Sequence, residues 1–175
     1  MKVIALILLG IFLFGCHKSA SDEVTKIELA KGTCLGPCIP MAISLDDSLN
    51  YKFYADSSTT WNKIKPKKII AKYKGIASKK LWSDLIKTLD SIDYKHLDTS
   101  KKVEMADDQK MELIIYFDHH KIRTTNLDNK TKKIVDLLES SFDKIKLSPT
   151  DDTLNFDTKL QLQYQNWLLR INKKK

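Results

Sequence analysis

The stretch Lys68–Ile92, KIIAKYKGIASKKLWSDLIKTLDSI, changes its hydrophobic period halfway along, and that change decides the fold class. In its first part Ile69, Ala71 and Tyr73 fall on one face of an extended chain and Lys68, Lys72 and Lys74 on the other, which reads as a strand with one wet side. After Gly75 the rhythm is helical. Ser78 offers an N-cap, Leu81, Leu85, Leu89 and Ile92 recur on one stripe, and Trp82 and Ile86 widen it.

The same two rhythms extend outward. Upstream, a strand-like run from Glu23 to Ala30 carries Val24, Ile27 and Leu29; Met41, Ile43 and Leu45 alternate; and Tyr51, Phe53 and Tyr54 follow a hairpin loop, Leu45–Asn50. Downstream, Met111–Phe117 and Ile122–Asn126 read as two strands around an exposed turn, Asp118-His119-His120-Lys121. A second helix from about Lys130 to Ile145 places Ile134, Leu138, Phe142 and Ile145 on one stripe. The order of strands, helix, hairpin and helix predicts an α+β fold, an antiparallel β-sheet with two helices packed on one face and the other face solvated. From Ser148 the chain turns polar, SPTDDT, and then resumes at Leu160, Tyr164, Trp167, Leu168 and Ile171 with the spacing of a C-terminal amphipathic helix. Leu160, Leu162 and Tyr164 would also fit a strand. The domain is thus expected over residues 24–146, with a linker and C-terminal helix over 147–175.

The chain start speaks to location. Met1–Gly15, MKVIALILLGIFLFG, has one lysine and then an apolar run shorter than the roughly 20 residues a spanning helix needs, as expected of a secretory signal over residues 1–15. Leu13-Phe14-Gly15-Cys16 resembles the lipobox of bacterial lipoproteins, in which the cysteine is lipidated and becomes the new N-terminus; an ordinary cleaved signal with an incidental cysteine is the alternative. Each buried CH₂ of an acyl chain adds about 0.8 kcal/mol, so a multiply acylated Cys16 stays in a membrane. Residues 16–23 then form a hydrophilic tether. The expected location is the bacterial cell envelope, at the outer membrane, on its periplasmic face or the cell surface.

Setting Cys16 aside leaves Cys34 and Cys38, in KGTCLGPCIP (Lys31–Pro40). An even pair in an exported chain favours a disulfide. Helical i,i+4 spacing holds Cβ atoms about 5–6 Å apart, too far for a bridge that wants about 3.5–4.5 Å, so the segment must be a tight turn. Gly32, Gly36, Pro37 and Pro40 suit that. So short a loop stabilises by only about 2 kcal/mol in the chain-entropy estimate. Two other readings stay open. One is thiol-disulfide chemistry, although C-x-x-x-C with two prolines is unlike a C-x-x-C at a helix N-terminus. The other is a soft-metal site for Cu(I), in which Cys34 and Cys38 are joined by Met41, His119 or His120.

CLGPCIPMAISLDD, YKGIASKKLWSDLIKTLDSIDYKHL and ADDQKMELIIYF together resemble a family of uncharacterised bacterial domains, often found on lipoproteins, with a C-x-G-x-C-P turn and a Thr-Asp-Asp-Gln-like segment before a later strand. The resemblance covers roughly Lys31 to Phe142. Here Ile39 separates Cys38 from Pro40, Met41 stands where an aromatic is common, and Ala106 replaces the threonine. The resemblance implies a fold and a location without an activity.

Function classes can be narrowed. Asp107 and Asp108 are adjacent, and neighbours on a strand point to opposite faces, whereas acid-base catalysis needs convergent groups. The sequence carries no nucleophile elbow, no H-E-x-x-H and no phosphate-binding glycine loop. A non-enzymatic binding or structural protein with no cofactor is expected. The formal charge is +8, and Trp61–Lys80 holds eight lysines and no acid. Lys63, Lys65, Lys67, Lys68, Lys72 and Lys74 are therefore candidate binding residues, as are Asp107, Asp108 and Gln109, which alternatively form a turn. Lysines without arginine argue against base reading, and an exported chain argues against nucleic acid. Anionic lipid, lipopolysaccharide or another envelope protein is the expected partner; protection of an exposed strand edge explains the same run.

Overall fold

The structure is a computed structural model that describes residues 24–34, 38–56, 70–100, 109–125, 127–160 and 162. The signal segment, Cys16, the tether and the chain beyond residue 162, where the C-terminal helix was expected, lie outside the described residues. Strands β1 (Val24–Lys31), β2 (Met41–Asp46), β3 (Asn50–Asp56) and β4 (Ile70–Ile76) precede helix α1 (Lys79–Ser91). Strands β5 (Met111–Phe117) and β6 (His120–Thr124), helix α2 (Asn129–Ser141) and strand β7 (Leu147–Pro149) follow. All seven strands form one antiparallel sheet in the order β6-β5-β1-β2-β3-β4-β7, so the fold is α+β.

Alternation explains the core. Ile27 and Leu29 of β1 face Ile43 and Leu45 of β2 and Leu113 and Ile115 of β5 in register, so one side of the sheet is continuously apolar. Leu81, Leu85 and Leu89 of α1 and Ile134 and Leu138 of α2 share that core. Both helices begin on a side-chain cap. Ser78 Oγ accepts the Leu81 N–H at 3.1 Å, and Asp128 accepts those of Lys130 and Thr131 at 2.9 and 3.0 Å. The buried Tyr51 hydroxyl lies 3.1 Å from Ser141 Oγ, tying β3 to the end of α2. Burial pushes that phenol up to about 12.

Four features depart from the sequence reading. The β5–β6 turn is only Asp118–His119, with Asp118 left-handed at φ 48°, so His120 and Lys121 already belong to β6. Helix α2 stops at Ser141; Phe142 leaves the stripe to pack 4.4 Å from Phe53 and 5.9 Å from Tyr73, between ring centroids. Leu147–Pro149, read as linker, is the last strand among the described residues, with Leu147 opposite Gly75 and Pro149 opposite Tyr73. Residues 150–160 then form neither helix nor strand but cross the second side of the sheet, from Lys72 of β4 to Glu28 of β1 and Glu112 of β5. This strap corrects the expectation of a solvated face. Glu28, Ser44, Glu112 and Ile114 on that side are all buried, while Lys74 and Ile76 of β4, Asn50 of β3 and Lys121 of β6 stay exposed.

Gly75 shows how β7 is seated. A Cβ there would stand 2.8 Å from Ile145 Cγ2, 2.9 Å from Leu147 Cδ2 and 2.9 Å from the Lys146 carbonyl oxygen. The carbonyl cannot swing aside as a side chain can. Gly75→Ala is expected to cost about 1–3 kcal/mol through overpacking, read as a lower urea midpoint at unchanged slope. Unchanged stability would mean that residues 145–147 do not rest on β4.

Candidate functional site

The cysteine turn occupies one end of the sheet, where β1 stops and β2 and β5 begin, since Lys31 is in register with both Met41 and Met111. Cys34 and Cys38 are joined by a disulfide with Cα atoms 5.8 Å apart. The Gly32 N–H donates to the Lys110 carbonyl at 2.8 Å, and the Pro40 carbonyl accepts from Asp56 N–H at 3.0 Å, so both flanks of the loop are pinned to neighbouring chain. Gln109 adds a second closure. Its side-chain amide donates to the carbonyls of Gly32 and Ile39, each at 3.0 Å. The loop is thus closed inside by the disulfide and outside by one amide group.

The structure therefore brings together the two segments most specific to the family resemblance, the cysteine turn and Gln109. Asp107, Asp108 and the loop tip Leu35–Pro37 lie outside the described residues. Ile39 is half exposed beside the clasp. Below it runs an open groove of about 540 Å³ lined by Lys31, Met111, Asp128, Lys132, Asp136 and Glu139, with Lys31 and Glu139 ion-paired across it.

The soft-metal set is not assembled. Met41 packs against the core, and the two cysteine sulfurs are bonded to each other. His119 and His120 sit at the far end of β5, about 20 Å away along a seven-residue strand. Among the described residues no group of three or more His, Cys, Asp or Glu side chains is placed to hold a metal ion.

Of the candidate lysines, Lys63, Lys65, Lys67 and Lys68 lie outside the described residues. Lys72 and Lys74 stand on the second side of β4. Lys74 pairs with the Asp152 carboxylate at 2.5 Å, and Lys72 donates to the Asp152 carbonyl at 3.3 Å. Lys52 of β3 lies directly opposite Lys74. With Asp46, Asn50, Ile76 and Ser148 these two lysines line an open groove of about 440 Å³.

A third group of residues was not anticipated from the sequence. On the second side of β1, β5 and β6, Glu28 and Glu112 are 3 % and 2 % exposed. Arg123 Nη1 lies 2.8 Å from Glu112 Oε1, and Lys26 Nζ lies 3.0 Å from Glu28 Oε1 and 3.9 Å from the centre of the Tyr116 ring. The strap's Asp157 meets Tyr116 Oη at 2.9 Å and the Lys121 ammonium. Hydrogen bonds from Lys121 and Tyr116 hold the Asp157 carboxyl down at about 2. Burial first, and then the neighbouring acids, push the Tyr116 phenol well above its ordinary value. The sequence did carry a signal for this cluster. Glu28 interrupts Ile27 and Leu29, Glu112 interrupts Met111 and Leu113, and Arg123 is one of only two arginines.

Two outcomes follow from this geometry. Gln109→Ala leaves two carbonyls of the clasp without their donor, and is expected to cost about 1–3 kcal/mol and to speed reduction of Cys34–Cys38 by dithiothreitol, followed by thiol counting. Equal reduction rates would remove Gln109 from the closure. Asp157 titrates lower in the folded protein than the ordinary value of about 4, so its contribution is complete above that value and is lost as the pH falls towards 2. The protection factor of the Lys159 amide, its exchange relative to an unstructured peptide at the same pH, is expected to fall over that window, and Asp157→Asn should abolish the fall.

A family model described as Domain of unknown function (DUF6438) matches residues 25–146, which run from the start of β1 past the end of α2 and leave out β7 and the strap. No curated protein and no solved structure matches the chain. The chain belongs to the family described as Domain of unknown function (DUF6438).

Proposed function

We propose that this is a lipid-anchored protein of the bacterial envelope that binds an anionic partner and catalyses no reaction. Its helices cover one side of the sheet, and the basic corner of the other side is the binding surface. The observation that carries the reading is the cross-strand pair Lys52 and Lys74. Like charges set directly opposite each other on a sheet are destabilising, and the sequence just ahead of β4 is itself rich in lysine. The Asp152 carboxylate relieves part of that repulsion at Lys74, and an anion seated in the groove beside Lys52 relieves the remainder. Nearby anions in an envelope are lipid headgroups, lipopolysaccharide phosphates and acidic protein segments. The signal-like residues 1–15 and Cys16 support the anchor, and the periplasmic or outer face of the outer membrane is the compartment in which a Cys34–Cys38 disulfide persists.

One set of variants tests both parts. Expressed with its own signal in a bacterium, the wild-type chain is expected in the membrane fraction with acyl mass on Cys16, and the Cys16→Ser chain in the soluble envelope fraction. The purified Cys16→Ser chain should bind phosphatidylglycerol vesicles, and Lys52→Glu/Lys74→Glu should weaken that binding by about tenfold or more, at roughly 1 kcal/mol per lysine near an anionic surface. Membrane retention of Cys16→Ser would overturn the lipid anchor. Binding indifferent to charge reversal would overturn the basic surface.

A further inference from the structure

We propose that the second side of β1, β5 and β6 is a recognition site for an extended acidic peptide segment of a partner protein, occupied in this chain by its own residues Asp157–Lys159. The inference shares the binding role proposed above but neither the lipid anchor nor the Lys52–Lys74 groove, so each can fail alone.

The site reads peptide chemistry at several points. Glu28 Oε2 accepts the Asp157 N–H at 2.9 Å, and Glu112 Oε2 accepts the Lys159 N–H at 3.0 Å. Those donors are two residues apart, the interval at which an extended chain repeats its direction. Glu112 Oε2 also accepts the Thr158 hydroxyl at 2.6 Å. The Asp157 carbonyl accepts from Arg123 Nη2, and its carboxylate is met by Tyr116, Lys121 and Arg123. Main-chain N–H, main-chain carbonyl and an acidic side chain are each met, the first by Glu28 and Glu112, the other two by Arg123, Tyr116 and Lys121.

That combination selects among anions. A lipid phosphate or a phosphate polymer brings charge but no N–H, and would set that charge beside the buried carboxylates of Glu28 and Glu112. A buried carboxylate without a donor is costly. A peptide satisfies both acids with its backbone and the cations with its side chain.

The occupant is built to leave. Asp157 is 40 % exposed and Lys121 47 %, so that one pair contributes little by itself, and the Asp157 carboxylate is also held by Tyr116 and Arg123. Leu154 and Phe156 of the strap are only partly buried and take no part in the hydrophobic core. The receptor residues all lie within the family domain, residues 25–146, whereas the occupant lies beyond it. Segments held by few buried apolar contacts open at low free energy while the remainder of a fold stays closed.

The test uses the full chain and a labelled peptide of residues 153–162, TLNFDTKLQL. In the wild type the tethered strap competes at about millimolar effective concentration. Fluorescence anisotropy should therefore show the peptide binding an Asp157→Ala/Thr158→Ala chain at least about tenfold more tightly than the wild type. An Asp157→Ala peptide, or Arg123→Gln added to the loosened chain, should weaken that binding by about tenfold or more. Equal binding of the two peptides, no binding to a loosened chain whose circular dichroism is native, or displacement of the peptide by phosphatidylglycerol vesicles would each overturn the proposal, the last by assigning the face to lipid. Should the loosened chain fail to fold, amide exchange in the wild type decides. Asp157 and Lys159 are expected to exchange at least about tenfold faster than Ile27 and Ile115; equal protection would make the strap a permanent part of the fold and end the proposal.

Discussion

A carboxylate shut away from water inside a sheet costs several kcal/mol unless donors surround it, and Glu28 stands in that position in β1, between Ile27 and Leu29. Alternation forces the arrangement. Those two apolar neighbours point into the shared core, so Glu28 must point to the other side, where β2 and β5 flank it in register. Lys26, Tyr116 and the Asp157 N–H gather there because that acid has to be matched. Glu112 on β5 repeats the demand, and Arg123 and the next strap residues answer it. The second cover of the sheet is thus held by polar complementarity, whereas the first is held by apolar burial.

That difference also governs what could be read in advance. Apolar alternation in Met41–Leu45 and Met111–Phe117, and the Leu81–Leu85–Leu89 stripe behind Ser78, are local patterns, and they gave the strands and helices that the structure contains. The strap has no such pattern. Asp157 reaches Glu28 across 129 residues of sequence, and a lone aspartate in a polar run carries no mark of its distant partner. β7 was missed for a related reason. Its three residues hold too little alternation to register, and the close approach that seats it is signalled only by Gly75, a strand glycine.

The cysteine turn was legible in part. Its residue types pointed to a tight loop with a bridge, and a bridged loop is what closes that end of the sheet. What the sequence did not disclose is that Gln109, 77 residues from Gly32 and 70 from Ile39, would be the outer clasp of the same loop. Spatial proximity turns two family-like segments into one structure. Conversely, the histidine pair and the cysteines looked combinable only because strand length cannot be felt along a sequence; β5 holds them at opposite ends.

The place where the chain enters the sheet has a mechanical consequence. Val24 opens a strand that is hydrogen-bonded on both sides, to β2 and to β5, and both neighbours run antiparallel to it. Ladder hydrogen bonds lie perpendicular to their strands, so a pull along β1 from its leading end loads two ladders in shear, many bonds at once, instead of peeling them singly. A tether attached ahead of Val24 would drag on the part of the domain best able to resist being drawn out.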